Sequence, residues 1–127
     1  MHLETGQTET FKICSEIKWN NTGLEIFEGE EYAFEATGKW KDANIECDAD
    51  GFDKWFLAYA KIFRRAPKEK WFALMGMIDR SGTKYLIGLK NKIKFSNAGI
   101  LYCFANDWIL FYWNNHGSVD LTVKRLR

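Results

Sequence analysis

Two segments near opposite ends of the chain alternate with a two-residue period. From Phe11 to Trp19, Phe11, Ile13, Ser15, Ile17 and Trp19 stand against Lys12, Cys14, Glu16 and Lys18; from Ser118 to Leu126, Val119, Leu121 and Val123 stand against Asp120, Thr122 and Lys124. Successive side chains of a strand point to opposite faces, so each segment reads as a strand with one face buried. Between them, apolar runs recur between turn residues: LEIF after NNTG, YAFEATGKW after EGEE, then WFALMGMID, KYLIGLK, KIKFSNAG and ILYCFAND, divided by RSGT and NAG. Asn and Gly supply the positive backbone angles that tight turns need. About eight short strands at this spacing predict an all-β chain folded as a two-sheet, jelly-roll-like antiparallel sandwich.

One stretch breaks the period. In FDKWFLAYAKIFRRAP, Trp55, Ala58, Tyr59, Ile62 and Phe63 recur at the spacing of one helical face, with Asp53 as a candidate N-cap and Pro67 just past the end. This predicts a short helical insertion covering one open end of the sheets. Its Arg64, Arg65, Lys68 and Lys70 read as a solvated face, since cations near a helix C-terminus favour the helix dipole.

The 127 residues suit a single domain, 1–127, of which the polar first ten, His2 among them, are expected to be flexible. With 46% apolar and 17% aromatic residues the chain is no disordered polymer, and 18 Lys and Arg against 17 Asp and Glu leave no electrostatic footprint for nucleic acid. There is neither a signal-peptide pattern nor a run of about 18 apolar residues, which predicts a cytoplasmic chain without a membrane partner. Cys14, Cys47 and Cys103 are odd in number and lack metal-ligand spacing, so they read as buried free thiols.

Nucleophilic catalysis finds little support, because neither histidine, His2 or His116, accompanies a nucleophile signature. The turn ECDADGFD supplies Glu46, Asp48, Asp50 and Asp53, but the remaining positions of a helix-loop-helix calcium motif are missing. The stretch NDWILFYWNNHGS is more informative. It holds six apolar residues, Trp108 to Trp113, between Asn106-Asp107 and Asn114-Asn115-His116-Gly117-Ser118. If the apolar run loops back with a bend at Gly117, Asp107, Asn114 and Asn115 bring three oxygen-bearing side chains together, the chemistry a hard cation such as calcium requires. Ordinary turn capping by Asx side chains accounts for the same residues.

Read in order, WNNTGL, EGEEYAFEATGKW, DADGF, APKEKWFALMGMI, KYLIG, FSNAGILYCFAND and NNHGSVDLTV resemble the PA-IL-like family of galactose-binding bacterial lectins, over about Ile17 to Val123. The resemblance implies a calcium-dependent sandwich of galactose-binding-domain-like form, in which two sugar hydroxyls coordinate the ion directly. It carries the side-chain ligands onto Asp107, Asn114 and Asn115, and the backbone carbonyl ligands onto Ala43 and Phe111. Five protein contacts leave the shell of the ion open to a vicinal diol. Sugar contacts are implied for Asp107, Trp108, Phe111 and Asn114, with Asp48 and Asp50 as candidates in a second loop. The chain departs from the family in its apolar calcium loop, WILFYW, and in the lack of a match to the second sugar loop.

The expected function is therefore calcium-dependent binding of a galactose-like carbohydrate without catalysis, with homo-oligomerisation supplying avidity. The competing reading is a metal-free protein-interaction domain that docks through WILFYW and the aromatic helix. A hydrolase built on Glu46 with Asp48 or Asp50 has one acidic turn as its support.

Overall fold

The computed structural model describes residues 1–52 and 63–127. Among them run ten strands: β1 (Thr8–Cys14), β2 (Asn20–Ile26), β3 (Glu31–Thr37), β4 (Trp40–Asp42), β5 (Ile45–Cys47), β6 (Leu74–Ile78), β7 (Ser81–Leu86), β8 (Lys90–Lys94), β9 (Gly99–Ala105) and β10 (Asn115–Arg125). They form two antiparallel sheets, one ordered β5-β4-β10-β3-β8 with β1 also paired to β10, the other ordered β2-β9-β6-β7. The all-β, two-sheet antiparallel sandwich read from the alternation is the fold observed.

β10 is the spine of the first sheet. Its Cys-free alternation buries Asn115, Val119, Leu121 and Val123 while Asp120 and Lys124 face outward, and it is long enough to serve three partners. Residues 118–124 pair with β1 along one side. On the other side, Asp120–Arg125 pair with β3 and Asn115–Gly117 pair with β4. Gly117 makes the change of partner feasible: its φ is +85°, and a Cβ there would stand 3.3 Å from Trp40 Cα, so a side chain would strain both backbone and contact. The turn expected at Gly117 is not there: Gly117 is a positive-φ residue inside β10, and the chain turns earlier, in the 3-10 turn Tyr112–Asn114.

Between the sheets lie Ile13, Leu24, Tyr32, Phe34, Trp40, Leu74, Phe95, Leu101 and Leu121, each at most 1% exposed. Trp40 meets Phe72 edge-on at 6.0 Å between ring centroids. Burial of such a ring is worth several kcal/mol, and truncation to Ala at such a site costs about 3–5 kcal/mol.

Several local expectations are corrected. The first ten residues are not loose: Leu3 is 1% exposed, Glu4–Gln7 form a turn, and Thr8 already pairs with Lys124. The strand read over Phe11–Trp19 runs instead over Thr8–Cys14, because Ser15 leaves the ladder to donate its hydroxyl to the His116 and Gly117 carbonyls. NNTG is no free turn but part of β2, where the register with β9 slips between Asn21 and Glu25 and Gly23 takes φ +72°. Of the three thiols, all free, Cys103 is buried and Cys14 and Cys47 are half-buried. Most of the helical insertion, residues 53–62, lies outside the described residues.

Candidate functional site

The stretch 106–114 leaves β9 as a loop, not a strand, and Asn115 opens β10; each polar end does a different job. Asn106 is a scaffold. Its Oδ1 accepts the Ala66 N–H at 2.8 Å, its Nδ2 donates to the carbonyls of Ala66, Glu69 and Lys70 at 2.9, 3.2 and 2.9 Å, and its backbone pairs with Phe72 and Ala73. A fully buried amide that closes every one of its bonds holds segment 64–73 against the end of the second sheet.

Asp107 is the opposite case. It is 3% exposed; its Oδ1 accepts the Trp108 N–H at 2.7 Å, while its Oδ2 is buried without any hydrogen-bond partner. Burial first, and then the neighbouring Asp42 carboxylate, push its pKa up to about 7, against the pull of the Trp108 N–H and the Asn115 side chain.

The loop returns through two tight turns, Phe111 N–H to the Trp108 carbonyl at 2.9 Å and Asn114 N–H to the Phe111 carbonyl at 3.4 Å, the second within the 3-10 turn Tyr112–Asn114. Tyr112, 2% exposed, anchors this return by donating its hydroxyl to the Ala105 carbonyl and accepting from Arg65 at 3.0 Å. Asn114 and Asn115 follow, and the Oδ1 of each is buried and unpartnered. The Asn115 carboxamide is oriented, since its Nδ2 donates to the Ser15 carbonyl at 3.0 Å, which turns the free oxygen the other way.

The β4–β5 hairpin supplies the last wall. Asp42 and Ile45 close a two-residue loop at Ala43 and Asn44, and the Ala43 N–H donates to the Asn114 carbonyl at 3.0 Å. Ala43 adopts φ +53°, a left-handed conformation uncommon outside Gly and Asn, of the sort concentrated at functional sites. The structure thus brings Asp107, Asn115, Asn114, Ala43 and the Phe111 turn to one end of the sandwich.

Asp48 and Asp50 are elsewhere engaged. Asp48 caps its own turn by accepting the Asp50 N–H at 2.9 Å, and Asp50 accepts the Leu89 N–H at 2.8 Å. Asp48 is three residues past Ile45, about 10 Å of extended chain from the hairpin tip. Gly51 packs that turn so closely on the Trp71 carbonyl that a Cβ would meet it at 2.2 Å.

Around the oxygen cluster the rim is aromatic. Trp108 stacks on Phe63 at 4.8 Å and meets Phe111 edge-on at 4.6 Å, while Phe63, Phe111, Leu110 and Trp113 are 45%, 43%, 62% and 76% exposed. The cations expected on a solvated face are divided. Arg64 is buried, reaching the Pro67 carbonyl at 2.6 Å and lying 5.3 Å from the Trp71 ring centre. Arg65 threads between aromatic rings, 3.5 Å from the centre of Phe104 and 4.9 Å from that of Trp19, and donates to the Lys18 carbonyl. Only Lys68 and Lys70 lie in water. Sequence reasoning missed Asn106, Arg65 and Asp42 as parts of this region; the Asn immediately after a strand was the one available signal.

Among the described residues no group of three or more His, Cys, Asp and Glu gathers as a metal site, so any ion here would depend on carboxamide oxygens as well. Three buried oxygens without donors, one on a carboxylate and two on carboxamides, are costly alone and are the donor set calcium takes.

No protein-family model matches the chain, and no curated protein matches it. Among solved structures it is similar to a domain described as the EclA N-terminal domain, a PllA-like lectin, with a TM-score of 0.71 and 17% identity over 91% of this chain and 94% of that one. At this identity the likeness is one of fold alone, the two-sheet antiparallel sandwich.

Proposed function

We propose that the protein is a calcium-dependent carbohydrate-binding module that takes a galactose-like vicinal diol. The observation that carries the reading is the trio of buried, unpartnered oxygens, Asp107 Oδ2, Asn114 Oδ1 and Asn115 Oδ1, at one end of a lectin-type sandwich. Native folds rarely leave such atoms unsatisfied, and an ion coordinated by all three would remove the penalty. Asp107, Asn114 and Asn115 would hold calcium with their side chains, and Ala43 and Phe111 would add their carbonyls. When bound, the ion would orient two sugar hydroxyls. Trp108 and Phe111 offer ring faces to the C–H side of a pyranose, and the exposed Trp113 widens that apolar rim.

In solution the reading requires that calcium raise the melting temperature and that a galactoside bind in calcium and not in chelator. If wild type and Asp107→Ala behave alike with and without calcium in both assays, the reading fails.

The exposure of Leu110, Phe111 and Trp113 favours a second reading, a metal-free interaction domain that docks a protein through this rim. A stable partner, together with purified protein that takes up no metal, would favour it. For the sugar reading, affinity for one monosaccharide is expected to be modest, with homo-oligomerisation raising avidity.

A further inference from the structure

The wall opposite Asp107 carries a second carboxylate that the motif does not contain. Asp42 is the last residue of β4 and the direct cross-strand partner of Asn115. Directly opposed residues on antiparallel strands project to the same face with Cβ atoms about 4.5–5.5 Å apart, so the Asp42 carboxylate rises beside the Asn115 carboxamide whose Oδ1 is unpartnered. That face is the inner one. Trp40, two residues earlier and hence on the same side, is fully buried, whereas Lys41 between them is exposed.

The Asp42 side chain is half-buried and makes no hydrogen bond or ion pair among the described residues. The Arg65 guanidinium, which contacts the loop at Tyr112, is committed to that hydroxyl and to the Lys18 carbonyl. Two carboxylates therefore face one cluster of donorless oxygens. Left without a cation, two carboxylates beside one another at a cluster of unpartnered oxygens are a repulsive arrangement.

We infer that Asp42 is a fourth side-chain ligand of the same cation site, so that a divalent ion is held by two carboxylates, two carboxamides and backbone carbonyls. The inference rests on the calcium reading above and deepens it. Two negative charges match one divalent ion, which makes the loaded site neutral in sum and suits it to an uncharged diol more than to an acidic sugar. A second carboxylate also raises affinity for the ion, since charge count is one of the two quantities that set calcium affinity in oxygen cages. One more protein oxygen occupies one more place in the shell, leaving room for the two hydroxyls of a diol within calcium's limit of about eight.

The experiment measures calcium binding by titration calorimetry, and bound waters from terbium luminescence lifetimes in light and heavy water, on the full chain. Terbium alone is the luminescent probe, sensitised by the rim tryptophans. The variants are Asp42→Asn, which preserves shape and the β4 ladder, and Asp48→Asn, which removes the same charge from a turn outside the cluster. Asp42→Asn is expected to weaken calcium by about tenfold or more, the effect of losing about 1.4 kcal/mol, and to add one terbium-bound water, with Asp48→Asn within about twofold of wild type. If wild type binds calcium and Asp42→Asn matches it in affinity or in bound waters, Asp42 is no ligand and the calcium reading stands without it. If Asp48→Asn weakens calcium as much as Asp42→Asn, the effect is general charge and the assignment of Asp42 is overturned. If wild type binds neither ion, both fall together.

Discussion

Glu30 and Asp107 are carboxylates buried near opposite ends of β10, a strand of 11 residues, and their partners differ. Glu30 is 7% exposed and fully partnered: Oε2 meets Arg125 at 2.8 Å and His2 at 2.7 Å, and Oε1 accepts the Tyr32 hydroxyl at 2.9 Å and the Phe27 N–H at 2.8 Å. Burial alone would raise its pKa, but the Phe27 N–H, His2 and Tyr32 together hold it below the ordinary range. Asp107 is as deeply buried, has one backbone donor and a free oxygen, and faces another carboxylate. One end of the sheet is finished as structure. The other leaves a buried carboxylate oxygen without a partner beside a second carboxylate, which is the observation the proposed function rests on.

The comparison can be broken at its finished end first. Removing one partner of a buried ion pair costs about 3–5 kcal/mol, so Glu30→Gln, which removes the charge facing Arg125 and His2, is expected to lower unfolding free energy by about 3 kcal/mol in urea titrations. Asp107→Asn in chelated protein should do the reverse or nothing, since it relieves the repulsion from Asp42. An equal loss from both would erase the distinction.

The next effect is that of the ion itself. At a hundredfold excess over its dissociation constant, a ligand of the folded state alone adds about 2.7 kcal/mol, a rise in melting temperature of roughly 10 °C for a domain of this size. Thermal melts with calcium and with chelator should differ by this amount in wild type and by little in Asp107→Asn.

The pH dependence of stability sharpens the contrast further. Glu30, with its folded pKa lowered, contributes stability present above the unfolded carboxylate value and lost as pH falls through the folded one. Asp107, raised to about 7, contributes in the opposite sense: protonation favours the fold, so stability is fully present below the unfolded value of about 4 and is lost as pH rises through 7. Chelated protein should therefore be most stable at mildly acidic pH. Saturating calcium should remove the decline on the neutral side and leave that on the acid side, as followed by urea midpoints across pH.

The smallest effect concerns Ala43. A left-handed alanine costs about 1–2 kcal/mol, partly offset in a glycine variant by the entropy of its unfolded chain. Ala43→Gly should stabilise metal-free protein by about 0.5–1 kcal/mol.

The parts of this molecule that follow a period were legible in its sequence. Alternation gave β10 and the inner face of β1, and turn residues divided β6 to β9, because one-sided burial imposes the period wherever a strand has one wet face. Asp107, Asn114 and Asn115 were readable as oxygens that a loop could gather, although the turn that carries the asparagines is Tyr112–Asn114 and not Gly117. What depends on a partner far along the chain was not. Asp42 looks like any polar strand residue until β4 is laid on Asn115, 73 positions later. Arg65 reads as a surface cation until Trp19 and Phe104 close over it. Leu3 is one apolar residue in a polar tail, and its burial depends on a core that local sequence does not show. Asn106 and Asp107 are adjacent and chemically alike, yet only the structure separates the fully bonded side chain from the one with an untaken oxygen.

The account rests on those untaken oxygens being a calcium site, and calorimetric titration of calcium into wild-type and Asp107→Asn protein at neutral pH tests it most directly. The prediction is one ion per chain for wild type and loss of that binding in the variant, whose fold is checked by its unchanged near-ultraviolet circular dichroism. Wild-type protein that gives no binding isotherm at millimolar calcium, or a correctly folded variant that binds as wild type does, would contradict it.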